Sequence, residues 1–571
     1  MAAALVGCGG EDDPAEGSPA STSTGAGGAQ SPAGEVRIAP GIYDGTIAPT
    51  AAEADPLTYG RHGGTLLTRY LDPPHMDFNR TLSCTINTTH DYVKNKLTRA
   101  TLGARANITA VDIEPDLAES WEMTDDATRF TFNLHRGVKF HNVEPVLGRE
   151  FTSDDVRASI ERYQAGGAQK DVFSEVESIE TPDDYTVIFN LDQPLSDFPR
   201  NIAAWSHIDA REVVEDPDLM ETRAIGTGPF IQDEWVQKER SVFVRHPEYF
   251  EDGLPFLDRI ETYVVDDPST QRAGYLTNNF FSWAARDDTE VEQMMSETDD
   301  SVMLRYPWIQ GANTSGMHFQ MRNPTFEDER VRRAMSVAID RVEWDIANVT
   351  ESDGYSKSPI AWSFLYDEVP TLESQGEWYQ FDPQKASQLL QAAGYSDSSR
   401  LSVDGPVWYF RNEYQQLLTP MYEQIPELDF TARVVDNPTA VQMLNDRNFE
   451  DTMNITWGPP AYSVDQMVFP WYLSTGGLNH ASINDAEMDR LLLAQRAESD
   501  PEAQRELWLQ IEHRIFDEVW NIFFPAQMYV RDFWHNYVLN YRPHGITRSG
   551  MTCYLNGEAR GMWLDEGAPS A

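Results

Sequence analysis

The sequence predicts an α/β fold with mixed sheets, divided over more than one hydrophobic core, on three observations. The chain has 571 residues with 40% hydrophobic and 11% aromatic content, too long for a single core and ample for two or three. Short runs alternate apolar and polar residues with the period of a half-buried strand, as in Phe130, Phe132, Leu134 and in Tyr185, Val187, Phe189, Leu191. Other runs place apolar residues at helical spacing, as in Val156, Ile160, Tyr163 and in Val331, Ala334, Met335, Ala338, Ile339.

In chain order, Gly63-Gly64 turns into a strand at Thr65-Leu66-Leu67, and Asp72-Pro73-Pro74 stops it. Phe130 to Leu134 alternates, Arg136-Gly137 breaks the run, and Val138 and Phe140 follow, a pattern that predicts a half-buried hairpin. A helix then starts with agreeing signals: Thr152 as N-cap, Asp155 three residues on, Asp154 at the positive end of the dipole, and Phe151 placed to staple onto Val156. Tyr185 to Leu191 predicts another strand, Gly226-Thr227-Gly228-Pro229-Phe230 a glycine-rich turn, Trp235 to Arg245 one strand, and Ile260 to Val265 the next. Helices follow at Ser269–Leu276, after Asn323-Pro324, after Asp382-Pro383 with Gly394 as its stop, and at Tyr414–Ile425. Strand character at Ile455–Trp457 and helices at Ala486–Arg496 and Pro501–Val519 complete the pattern, without a detectable repeat.

Composition excludes several functions. With 92 acidic against 44 basic residues the formal charge is -48, which repels nucleic acid and anionic headgroups. No apolar run approaches the ~20 residues that cross a bilayer. The sequence holds no HExxH, GxSxG, CxxC, Walker A lysine or EF-hand loop, so no enzyme class is indicated and no cofactor is expected. Paired carboxylates such as Asp125-Asp126 and Asp154-Asp155 are what so acidic a chain contains by chance. GTGPF lacks the Lys-Ser/Thr ending of a phosphate cradle. His135 and His141 fall on one strand face, a spacing a metal pair could use, but structural histidines are the simpler reading and no metal site is expected.

Leu5-Val6-Gly7-Cys8 has the form of a lipobox, with Cys8 as the lipidated residue. Only Met1–Gly7 precede it, so residues 1–8 read as a partial lipoprotein signal and 9–62 as a flexible tether rich in Gly, Ser, Thr, Pro and Ala over its first half. Cys84 and Cys553 could pair in an export compartment or remain two buried thiols.

Six segments stand in a fixed order: PDLAESWEMTDDATRFTFNLHRGVKFH, REFTSDDVRASIER, GTGPF, RHPEYFEDGLPFLDRIETY, FEDERVRRAMSVAIDR and FDPQKASQLLQAAGY. Together they resemble the family 5 extracellular solute-binding proteins, the oligopeptide-, dipeptide- and nickel-binding components of bacterial ABC importers, over about Gly63 to Ala497. The resemblance implies a two-lobed periplasmic-binding-protein-like fold (type II) with an extra domain inserted in the first lobe. Lobe 1 would take residues 63–87, 211–315 and 521–571, the inserted domain 88–210, and lobe 2 316–520. It implies a monomer, lipid-anchored in the periplasm or on the outer face of the cytoplasmic membrane, that captures a solute between hinged lobes. The solute would pass to a permease whose ATPase lies on other chains. A ligand-presenting sensor or chaperone on the same scaffold is the alternative of another class.

The resemblance also places the ligand between the lobes, against a Trp-containing loop that stands here as Trp457 to Asp465. In peptide-binding members a carboxylate close behind the Trp anchors the peptide's α-ammonium. Here Pro460 takes that position and Asp465 is the nearest acid, which leaves peptide and a neutral solute such as an oligosaccharide both open. Candidate ligand contacts are Trp457, Tyr462, Asp465, Trp308, Asn313, Asn279, Trp283, Tyr409 and Arg411, an aromatic platform with a few hydrogen-bonding groups. No dense histidine cluster lies in the second-lobe loop, which disfavours nickel. Trp121, Phe132 and Arg157 belong to the inserted domain, away from that cleft, and Arg332 and Arg333 read as surface or helix-end contacts.

Overall fold

A computed structural model describes residues 36–70, 72–80, 84–167, 170–309, 315–348, 353–408, 413–456, 462–525, 527–545 and 556–569. The fold is mixed α/β in two lobes, built on four principal sheets.

The first lobe holds two of them. One orders the strands Thr65–Tyr70, Arg259–Val264, Arg240–Arg245 and Phe230–Val236, with the first pair parallel and the rest antiparallel. The other orders Gly41–Asp44, Ser301–Pro307, Tyr529–His535 and Ser282–Ala285, so the later part of the 9–62 span expected as a tether is folded onto the first lobe, where Gly41–Asp44 gains strand partners and the buried Glu53 pairs with Arg542. The span from Trp235 to Arg245, expected as one strand, is a hairpin: Lys238 takes a positive φ of 64° and turns the chain between Val236 and Arg240.

A third sheet is antiparallel, in the order Ala118–Met123, Arg129–Leu134, Thr186–Leu191, Val176–Asp183. Its period-2 pattern does what the sequence demands, since Phe130, Phe132, Val187 and Phe189 are fully buried. The helix Ser153–Ala165 closes over that face with Val156, Ile160 and Tyr163, and the Asp155 carboxylate accepts from the Thr152 N–H at 3.0 Å. Arg129–Leu134 pairs with Ala118–Met123 and Thr186–Leu191, not with Val138–Phe140. The expected hairpin is replaced by a turn at Gly137 and a single bridge from Lys139 to Glu150, because both edges of the strand already have partners.

The second lobe is a five-stranded sheet in the order Leu428–Val435, Leu401–Trp408, Thr452–Thr456, Ser315–Phe319, Asn521–Phe523. The helix Glu329–Val337 buries Val331, Ala334 and Met335 in the same core as Met317 and Phe319 from the sheet. The chain passes between this sheet and the first lobe twice, from Pro307 to Ser315 and from Phe523 to Tyr529. The two passages touch where the Trp308 N–H donates to the Met528 carbonyl at 2.7 Å.

Candidate ligand-binding site

The strand Ser315–Phe319 sends His318 toward Asn521 on its neighbour, and the Asn521 amide donates to His318 Nδ1 at 2.6 Å. That bond places the ring proton on Nε2, and burial keeps the imidazole neutral, with its pKa lowered to about 3. Asn521 is fixed in turn by the hydroxyls of Tyr472, 3.0 Å from its Oδ1, and Tyr379, 3.0 Å from its carbonyl. His318, Asn521, Tyr472 and Tyr379 thus form a buried, uncharged polar cluster at this edge of the second lobe's sheet.

Trp308 leads out of the first lobe and is largely buried. The Lys357 ammonium of the second lobe lies over its ring, 3.9 Å from the centroid. Beside Lys357, the Ser358 hydroxyl stands 2.5 Å from Glu512 Oε1 and 2.7 Å from the Ile360 carbonyl, and Tyr366 donates to Glu512 Oε2 at 2.5 Å. Burial pushes the Glu512 carboxyl up to about 7 against these hydroxyl contacts.

Tyr462 and Asp465 lie where the second lobe meets the sheet-and-helix unit around Phe130. Tyr462 is buried in a core that mixes Val464, Met467 and Val468 with Phe78, Ile86, Val111, Ala203 and Ala204 from the other side of the seam. Asp465, in the first turn of the helix Val464–Tyr472, accepts from Arg496 Nε at 2.6 Å and Nη2 at 3.0 Å, and from Gln495 at 2.8 Å. Both of its oxygens therefore serve the protein's own groups. Arg496 Nη1 continues across the seam to Glu175 Oε1 at 2.5 Å. Burial works to lower the Arg496 pKa, and the two carboxylates outweigh it and leave it raised.

The remaining expected residues lie apart from this seam. Trp283 packs against Phe533, Tyr275 and Met294, between its sheet and the helices Pro268–Leu276 and Asp288–Glu297. Asn279 is exposed just past the first of those helices, its amide donating to Thr277 at 2.9 Å. Trp457, Asn313, Tyr409, Arg411, Cys8 and Cys553 lie outside the described residues. His141 is buried against the Gly228 carbonyl at 3.0 Å and His135 faces Glu119 at 3.4 Å, and among the described residues no group of three or more His, Cys, Asp or Glu is arranged to hold a metal. Arg332 is buried and donates to the carbonyls of Glu518 and Phe326, closing helix ends. Sequence reasoning did not find Lys357, Arg496 or Glu175, because each matters through a contact hundreds of positions away or across a lobe boundary, and none carries a local motif.

Two sheet-bearing lobes joined by two chain passages are the frame against which the comparisons can be set. The profile of the bacterial extracellular solute-binding proteins, family 5 (middle region), matches residues 112–479, and the chain belongs to that family. It is 25% identical over 440 residues to the oligopeptide-binding protein AppA of Bacillus subtilis, covering 72% of this chain and 77% of that one. It is 29% identical over 314 residues to heme-binding protein A of Haemophilus influenzae, covering 50% of this chain and 54% of that one. Among solved structures, the periplasmic binding protein DppA of Helicobacter pylori in complex with the peptide STSA superposes with a TM-score of 0.70 at 20% identity, covering 89% of this chain and 99% of that one. Members of this family are extracytoplasmic, and no described helix is long and apolar enough to cross a membrane.

Proposed function

We propose that this chain is the solute-capturing component of an ABC importer, held in the periplasm or on the outer face of the cytoplasmic membrane by a lipid on Cys8, and that it closes its lobes over a peptide or a solute of similar size. Family membership across the middle of the chain carries this reading, together with likeness to relatives named for oligopeptide and peptide binding. The expected boundaries move by a few residues, because Ser315–Phe319 and Asn521–Phe523 pair in the second lobe's sheet: residues 63–87, 211–314 and 524–571 belong to lobe 1, 88–210 to the inserted domain and 315–523 to lobe 2, with the hinge at the passages around Trp308 and Met528. Closure is driven by a ligand that touches both lobes, since only differential affinity for the closed state can shift the equilibrium.

A neutral solute such as an oligosaccharide is the second reading, favoured by one observation: Asp465 already accepts from Arg496 and Gln495, so it has little capacity left for a peptide's α-ammonium. The experiment is to purify the chain, release what co-purifies and identify it by mass spectrometry, then titrate the identified compound by calorimetry. Peptides that rebind saturably support the first reading, and a carbohydrate or other neutral compound that rebinds supports the second. Failure of every released compound to rebind would overturn both.

A further inference from the structure

The seam between the second lobe and the inserted domain is more than a contact surface. Arg496 ends the helix Ala486–Ala497 and its guanidinium is almost fully buried, with side-chain exposure of 7%; the facing groups of Glu175 and Asp465 are at 11% and 4%. It makes a two-bond pair with Asp465 in its own lobe and a third bond to Glu175 in the other body, with its plane over the Phe469 ring. Five further bonds cross beside it, the first from the Asn201 amide to Asp465 Oδ2 at 3.4 Å. Ser463 Oγ meets Asn201 Oδ1 at 2.5 Å, Gln466 donates to the Asn201 carbonyl at 3.1 Å, the Ser196 N–H donates to the Arg496 carbonyl at 3.0 Å, and Gln504 donates to Ser196 Oγ at 3.2 Å. Around them runs an apolar core shared by the two sides. Every group in this set belongs to the chain itself, so the seam is complete without a ligand.

We propose that Arg496 is a ligand-independent clasp: by pairing Asp465 with Glu175 it holds the second lobe on the inserted domain in the empty protein and thereby sets how much of the population is already closed when solute arrives. The idea rests on the hinged-lobe reading above and adds to it a device that tunes affinity, because apparent affinity scales with the fraction of molecules in the competent state. A buried charge cluster suits the task. Its members are satisfied only together, and separating the lobes leaves Arg496 one carboxylate short while exposing the shared apolar surface to water.

The test uses no ligand. The full chain, dialysed free of solute and checked empty by mass spectrometry, is compared with Arg496→Met and Glu175→Gln by small-angle X-ray scattering and by hydrogen exchange over 195–203 and 462–469. Glu175→Gln leaves the Asp465–Arg496 pair inside the second lobe intact, so it separates clasping from internal packing, and a thermal melt of each variant establishes that it is folded. The clasp requires a compact empty wild type, a larger radius of gyration in both variants, and seam amides that exchange at least about tenfold faster. Three equally compact proteins, an empty wild type as extended as the variants, or opening by Arg496→Met alone would each overturn it. Failure to identify any transported solute would leave the result standing, so the two readings fail separately.

Discussion

Ser358 has one hydroxyl hydrogen and two acceptors within reach, the Ile360 carbonyl at 2.7 Å and Glu512 Oε1 at 2.5 Å. An ionised Glu512 competes for that hydrogen. A protonated Glu512 donates to Ser358 instead and lets Ser358 donate onward, so every group is satisfied. This agrees with a carboxyl raised from 4.5 to about 7 by burial. The sign follows: between about pH 4.5 and pH 7 the folded state holds a proton that the unfolded state has lost, so this group's contribution is full below pH 4.5 and declines as pH rises toward 7. At about 1.4 kcal/mol per pKa unit the decline is roughly 3 kcal/mol. Glu512→Gln keeps an acceptor for one hydroxyl and a donor for the other and cannot ionise. Urea unfolding should show it more stable than wild type by roughly 1–3 kcal/mol above about pH 7.5, with the advantage vanishing near pH 5. A constant difference across that range would mean that Glu512 does not titrate there.

Among the elements, the turn Gly226-Thr227-Gly228 shows why a motif without chemistry can still be demanding. The Gly228 N–H donates to the Val93 carbonyl at 2.8 Å, the His141 N–H to the Gly226 carbonyl at 2.9 Å, and a Cβ on Gly228 would lie 2.6 Å from the backbone nitrogen of Lys94. The obstacle is backbone, which cannot swing aside as a side chain can. Gly228→Ala is therefore expected to cost about 2–3 kcal/mol, at the upper end of overpacking, read as a lowered thermal midpoint. Gly394→Ala is the contrast: no atom lies within 4 Å of its Cβ position, so its cost comes only from a positive φ of 100° at the stop of the helix Pro383–Ala392. Equal losses at both positions would remove close packing as the reason for Gly228. Such elements were legible because their causes are local: Thr152 with Asp155 starts a helix, and alternation at Phe130–Leu134 makes a strand. What the sequence could not show is which edge a strand pairs with, or that Arg496 lies against both Asp465 and Glu175. Those pairings are fixed by the packing of whole layers, and no local spacing encodes them. The candidate site divides the same way: Tyr462 and Asp465 are expected from their place after the Trp-containing segment, whereas the contact of Lys357 with Trp308 has no local sign in the sequence.

For the whole molecule, charge is the dominant global term. The 44 basic residues are far outnumbered by 92 acidic ones, and many of the arginines are bound into pairs, as Arg149 is with Asp155 and Glu212, and Arg99 with Glu114, Asp116 and Glu251. The excess carboxylates therefore face solvent and one another, and their repulsion opposes the compact state. Screening length falls from about 10 Å at 0.1 M salt to about 3 Å at 1 M, enough to quiet repulsion between neighbouring surface carboxylates. The buried clasp is shielded from the same ions by the seam around it. Raising NaCl from about 0.1 M to about 1 M should thus lift the thermal midpoint by several degrees while leaving the radius of gyration of the empty protein unchanged. Guanidinium chloride kept below about 0.3 M should stabilise in the same direction, because at that level it screens charge before it solvates the core. Stabilisation by NaCl without stabilisation by dilute guanidinium would trace the effect to salting-out of apolar surface. A midpoint that does not move with either salt would show that the acidic surface is already spaced widely enough to carry its charge without strain.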